Sequence, residues 1–343
     1  MRRLAALLLA GSISLFACGD GDGSATADAT PPDAPGFSGD KYSIDFGPVT
    51  VAPGQENTQC IQARISNATA IKVHQMHNVL SLGSHHLIVY KDDMATAEQL
   101  TPFDCQPFTG ALNPSGMVAP IMITQRADDE LYLPEGVAYT LGANQMMRVE
   151  MHFINSTDQP IQVTARVDLY AAPEGSIHDE ANILFIGSPD VSIPAGQTVT
   201  LEQFFTPSRA SLDLTGAKFF AITGHTHQYG TDMQVSTAPT NGGTRTSVYA
   251  PSPFAWNEPL TQTHKPEFEI PSGQGGFDFK CTYTNTSAAT VGFGESATDE
   301  MCFFWAYYYP SKGAHVCFHT QRFGGVDLCC PDAGATLCNM VIQ

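Results

Sequence analysis

From Met147 to Phe153, the stretch Gln145-Met146-Met147-Arg148-Val149-Glu150-Met151-His152-Phe153-Ile154 alternates apolar and polar side chains. That period of two is a β-strand with one face for a core, and it puts His152 on the same face as Arg148 and Glu150. Working outward, similar segments recur at Tyr42–Val51, Leu87–Tyr90, Gln162–Tyr170, Thr198–Phe205, Phe219–Thr223, Phe277–Thr284 and Cys302–Tyr309. Gly, Pro, Asn or Asp usually separates them, and no long stretch carries the 3.6-residue period of a helix. Only 15% of the 343 residues are charged, against 30 Gly and 23 Pro, which suits a chain of many short strands and turns. The expected fold is all-β, with β-sandwich architecture.

The ends read differently. Met1-Arg2-Arg3 followed by the apolar run Leu4 to Phe16 is an export signal, too short for a permanent span. It closes on Leu15-Phe16-Ala17-Cys18-Gly19, the pattern of a bacterial lipoprotein signal, so residues 1–17 are expected to be removed and Cys18 lipidated. Residues 18–40 read as a flexible tether, poor in large apolar side chains. The expected location is the outer membrane or cell surface of a Gram-negative bacterium, with the anchor as the only membrane contact. A net charge of −18 argues against nucleic acid as a partner. Oligomeric state is open.

The strand pattern stops near Ala171-Ala172-Pro173-Glu174-Gly175 and restarts at Ile183. Domains are therefore expected over 41–172 and 173–310, with a cysteine-rich extension over 311–343. Besides Cys18 there are Cys60, Cys105, Cys281, Cys302, Cys317, Cys329, Cys330 and Cys338. An even count in an exported chain predicts up to four disulfides. Cys329 and Cys330, being adjacent, look to Cys317 and Cys338 for partners.

Histidines carry the chemistry. His85-His86 stand at a strand entry, where an irregular backbone can turn both rings to one metal. In Gly224-His225-Thr226-His227-Gln228 the spacing i, i+2 puts two imidazoles side by side on one strand face. Imidazole suits Cu, Zn, Fe and Ni, whereas the thioether of Met301, in Asp299-Glu300-Met301-Cys302, favours Cu(I). Each motif alone also has an ordinary structural reading. His74 and His77 are a candidate accessory site. His315, Cys317 and His319 have a zinc-like pattern, for which oxidation to disulfides is the competing fate.

The series His85-His86, His152, His225-Thr226-His227, Asp299-Glu300-Met301-Cys302 resembles, in order and in spacing, the copper type II ascorbate-dependent monooxygenases. That group includes the peptidylglycine- and dopamine-hydroxylating enzymes, and the resemblance spans roughly Tyr42 to Tyr309. It implies two jelly-roll-like sandwich domains facing each other across a solvent-filled cleft, each with one copper ion. His85, His86 and His152 would hold the electron-transfer copper. His225, His227 and Met301 would hold the catalytic copper, where O2 and substrate meet. It also implies disulfides Cys60–Cys105 and Cys281–Cys302, ascorbate as reductant, O2 as co-substrate, and hydroxylation of a C–H bond in a small organic molecule. Glu150 is a candidate to orient His152. Where the peptide-hydroxylating members carry an arginine, this chain has Thr223; where they carry asparagine and tyrosine, it has Phe303 and Trp305. These three substrate positions argue against a peptidylglycine. The competing expectations are a non-catalytic copper-binding surface lipoprotein and an adhesin with incidental histidines.

Overall fold

Residues 36–107, 117–330 and 332–334 are described by a computed structural model. The expected signal segment, Cys18 and Cys338 lie outside them. The described chain is strands and turns, with two short 3₁₀ turns and no α-helix. The all-β sandwich expectation holds.

Four principal sheets account for the fold. The first has strand order Lys41–Val51, Ile161–Ala171, Ile71–Leu80, Val137–Leu141, Asp179–Glu180, with Asp128–Tyr132 also paired to Ile71–Leu80. The second runs Gln99–Asp104, Glu56–Arg64, Met146–Ile154, Ser84–Asp92, Val118–Thr124. The third runs Thr261–Phe268, Lys218–His225, Cys302–Tyr309, Asn182–Ser188, His315–Thr320, Val326–Cys330. The fourth runs Thr198–Phe205, Gly276–Thr284, Gly230–Ala238, Thr246–Tyr249.

Alternation decides which faces meet. On Met146–Ile154, Met147, Val149, Met151 and Phe153 enter a core shared with Val163, Val167 and Leu169 of the first sheet. On Cys302–Tyr309, Phe304, Ala306 and Tyr308 join Phe277 and Phe279 of the fourth sheet. The opposite face of that strand, with Phe303, Trp305 and Tyr307, joins the core that holds Ile88, Tyr90 and Ile123 of the second sheet. The central strands of the inner two sheets are thus buried on both faces. The Tyr307 hydroxyl lies between the backbone of Ile123, accepting from its N–H at 3.0 Å.

Three details differ from the expected segmentation. The tether was expected to run to Asp40, but Phe37 stacks on Tyr170 at 4.6 Å and the Asp40 carbonyl accepts from the Ala171 N–H at 2.9 Å. One large ring in an otherwise small and polar stretch is enough to hold it. The first sheet continues past residue 172, since Asp179–Glu180 pairs in parallel with Val137–Ala138. Residues His315–Thr320 and Val326–Cys330 complete the third sheet as strands rather than standing apart from it.

Cys60–Cys105, Cys281–Cys302 and Cys317–Cys329 are bonded. Cys330 is disulfide-bonded as well. Cys317 and Cys329 are register partners on neighbouring strands. Cys281–Cys302 ties the fourth sheet to the third, one residue after Met301.

Candidate metal centre

The five motif histidines meet at one junction. His86 and His152 are register partners in the second sheet, with ring centroids 4.9 Å apart. The register slips between Ser84 and His86, and this irregularity lets His85 join them, 5.3 Å from His86 and 5.1 Å from His152. His225 ends its strand opposite Phe303, and His227 follows two residues on, its ring 5.0 Å from that of His225. The two groups are themselves in contact. His85 lies 5.4 Å from His227 and 6.0 Å from His225.

The resemblance implied a solvent-filled cleft between the groups. Here the aromatic face of the third sheet packs directly on the second sheet, and all five rings are at most 5% exposed. The void lined by His86, Ile123, Gln125, Phe185, His225 and Trp305 is about 10 Å³, roughly the room of one water.

Hydrogen bonds orient the rings of His225, His227 and His152. The His225 Nδ1–H donates to Gln125 Oε1 at 2.9 Å, leaving a buried Nε2 without a partner. The His227 Nδ1–H donates to the Asp299 carbonyl at 3.1 Å. The His152 Nε2–H donates to Glu56 Oε1 at 2.8 Å, so its Nδ1 faces His86 Nε2 at 3.3 Å. His85 Nε2 is buried and unpartnered. Glu56, not Glu150, therefore orients His152; Glu150 accepts from the Tyr90 hydroxyl at 3.0 Å. Sheet pairing explains the exchange, because Glu56 lies opposite Ile154 across the strand edge and its carboxylate reaches back to the ring.

Burial, and then the neighbouring imidazoles, pushes His85, His86 and His225 well below the usual histidine range. Burial lowers His227 to about 4. Neutral rings are the form that binds a metal. The His152 hydrogen bond is the largest of the contacts that bring Glu56 down to about 2.

Met301 is 4% exposed and shares the apolar cluster of Phe303 and Trp305. Glu300 ties it to His227, for Glu300 Oε2 accepts from both the His227 N–H at 2.9 Å and the Met301 N–H at 3.3 Å. Glu300 Oε1 accepts from the Tyr229 N–H at 2.6 Å, and burial raises this carboxyl to about 7. Thus the Asp-Glu-Met-Cys motif meets the His-x-His motif through one carboxylate. Of the substrate positions, Trp305 lies 6.2 Å from His225 and lines the void. Phe303 stacks on Phe185 at 5.0 Å within the core, and Thr223 shares a 2.8 Å hydrogen bond with Thr261.

These donors fit copper in kind: five buried imidazoles, of which His85 and His225 each have a buried, unpartnered Nε2, and a buried thioether at Met301 on the motif that Glu300 ties to His227. Among the described residues, the group of three His, Cys, Asp or Glu side chains whose ligand atoms stand within 4.8 Å of one another is His77, Asp128 and Glu130, on the first sheet; the five motif histidines do not form such a group. Glu56, Gln125 and Trp256, whose ring lies 6.2 Å from His85, gave no sequence signal, since nothing in their local pattern marks them. Glu300 had one, its place inside the methionine motif.

Residues 179–323 match the family described as copper type II ascorbate-dependent monooxygenase, C-terminal domain. The similarity to the copper type II ascorbate-dependent monooxygenases thus covers somewhat under half of the chain, as their C-terminal domain. The matched segment of this monooxygenase family takes in His225, His227 and Met301 and stops short of His85, His86 and His152. No curated relative matches the chain. Among solved structures, the major capsid protein P2 from bacteriophage PM2 is similar at 9% identity and TM-score 0.36, over 80% of this chain and 99% of that one. Sulfolobus turreted icosahedral virus is similar at 10% identity and TM-score 0.22, over 78% and 59%. The VP2 subviral particle of infectious bursal disease virus is similar at 12% identity and TM-score 0.19, over 83% and 75%. Scores this low carry no argument.

Proposed function

We propose that this protein is a copper-dependent monooxygenase that hydroxylates a C–H bond of a small organic substrate, using O2 and ascorbate or another one-electron reductant. The observation that supports it is the meeting of five buried imidazoles at one junction, with a family match that covers His225, His227 and Met301. His85, His86 and His152 are the proposed ligands of one copper; His225, His227 and Met301 are those of a second. Copper would supply one-electron redox chemistry and dioxygen activation. The chain's own part is to present neutral nitrogens, orient them through Glu56, Gln125 and the Asp299 carbonyl, and exclude water with Ile123, Phe185 and Trp305. Thr223 is already bonded to Thr261, and no cationic side chain lines the void, so the reading favours an apolar substrate over a peptidylglycine. Export and a lipid anchor at Cys18 belong to the same reading, which the disulfides support.

The small void favours one alternative, a non-catalytic copper-binding surface lipoprotein. A substrate screen on copper-loaded protein separates the two. The monooxygenase binds about two coppers per chain and couples ascorbate-dependent O2 uptake to product. Met301→Leu conserves volume, costs under about 1.5 kcal/mol of stability, and is expected to abolish turnover while sparing the three-histidine copper. Copper uptake without product from any substrate would leave the binding protein; a copper content near zero would end both readings.

A further inference from the structure

We propose that Glu56 is a positioning residue that joins the two histidine groups into one unit. The inference rests on the copper reading for its functional meaning but stands on contacts that need no metal.

The carboxylate of Glu56 has three donors drawn from distant parts of the chain. Oε1 accepts from the His152 Nε2–H at 2.8 Å and from the Ala297 N–H at 2.9 Å. Oε2 accepts from the Ser296 hydroxyl at 3.2 Å. Ser296 and Ala297 belong to the loop that ends in Asp299-Glu300-Met301. Three residues on from Ser296, the Asp299 N–H donates back to the Ser296 carbonyl at 2.9 Å, closing a turn. The carbonyl of Asp299 then accepts from the His227 Nδ1–H. One continuous chain of contacts runs His152, Glu56, the 296–299 turn, His227.

Two consequences follow. Glu56 selects the His152 tautomer with the proton on Nε2, so Nδ1 is the atom left for a metal. It also holds the turn that sets both the His227 ring and the approach to Met301. A carboxylate suits this place because it only accepts, so one oxygen can serve a ring N–H and a backbone N–H together. Alanine removes all three contacts and leaves the Ala297 N–H and the His152 ring to find other partners.

Nitrogen-15 histidine NMR of the metal-free protein tests the idea, with the His152 signals assigned by their loss in His152→Asn. Wild type is expected to show His152 protonated on Nε2. Glu56→Ala is expected to lose that single tautomer and to speed hydrogen exchange of the amides of residues 296–299. Gln125→Leu serves as the control, since it crosses the same junction through His225 and is expected to leave the His152 signals in place. In copper-loaded protein, chelator competition is expected to show Glu56→Ala weakening one of the two coppers about 10- to 100-fold. A wild-type His152 protonated on Nδ1 would overturn the proposal even if Glu56→Ala does not fold. So would a Glu56→Ala protein with the wild-type tautomer and wild-type copper affinities. Failure of wild type to take up copper would instead remove the functional reading, leaving the tautomer result to decide the role of Glu56.

Discussion

Asp129 lies on the strand Asp128–Tyr132, opposite Asn78, and is 4% exposed. Burial raises its carboxyl to about 7, against the opposing pull of Arg126 and a hydrogen bond from Thr124. An acid whose folded pKa exceeds its unfolded value near 3.8 leaves the native state holding the extra proton. Its contribution is therefore most favourable below about pH 4 and is lost as pH rises toward about 7. Asp129→Asn is expected to remove that slope and to raise stability at pH 7.5 relative to pH 4.5, by on the order of 3 kcal/mol at most. Urea denaturation at the two pH values checks this, and a slope unchanged by the substitution would refute it. Gly187 shows sterics at the same scale. A Cβ there would stand 2.1 Å from the Phe303 ring, so the aromatic stack beside the histidine junction requires glycine at its register partner.

The strand Cys302–Tyr309 faces two cores. Its odd positions supply Phe303, Trp305 and Tyr307 to the junction with the second sheet, and its even positions supply Phe304, Ala306 and Tyr308 to the outer sandwich. Cys302 anchors its first residue to Cys281, closing a separation of 21 residues beside Met301. Replacing both cysteines with alanine is expected to cost about 3 kcal/mol through the freed unfolded chain. On the proposed function, the same change is expected to weaken copper binding at the proposed His225, His227 and Met301 site more than at the proposed three-histidine site. Calorimetry together with chelator competition reads both effects. Equal losses at both coppers would show that the disulfide acts on global stability alone.

At the scale of the molecule, four sheets stack so that the central strands of the inner two have no solvent-facing side. The core that holds Val149 and Leu169 also holds Phe303 and Phe318, which makes the two halves energetically one body. A single calorimetric unfolding transition is expected, and two resolved transitions would contradict it. Within this arrangement Tyr307 and Gln125 reach across the junction to Ile123 and His225. The void at this junction is about 10 Å³, room for about one water, so the proposed function requires the junction to loosen for any organic substrate.

Much of the fold follows from local pattern. Alternation in Met147 to Phe153 settles strand and face, because a period of two admits no other regular backbone. The ligand types are equally local: paired histidines and a methionine are chemical identities, visible without coordinates. What the tertiary structure decided is distance and partnership. Nothing near Glu56 in the chain hints that it meets His152, 96 residues away, or Ala297, 241 residues away. Strand pairing brings such residues together, and pairing depends on which apolar faces find each other when the whole chain collapses. For the same reason the two histidine groups, separable in sequence, share one buried junction here: the aromatic face that buries them belongs to neither histidine motif.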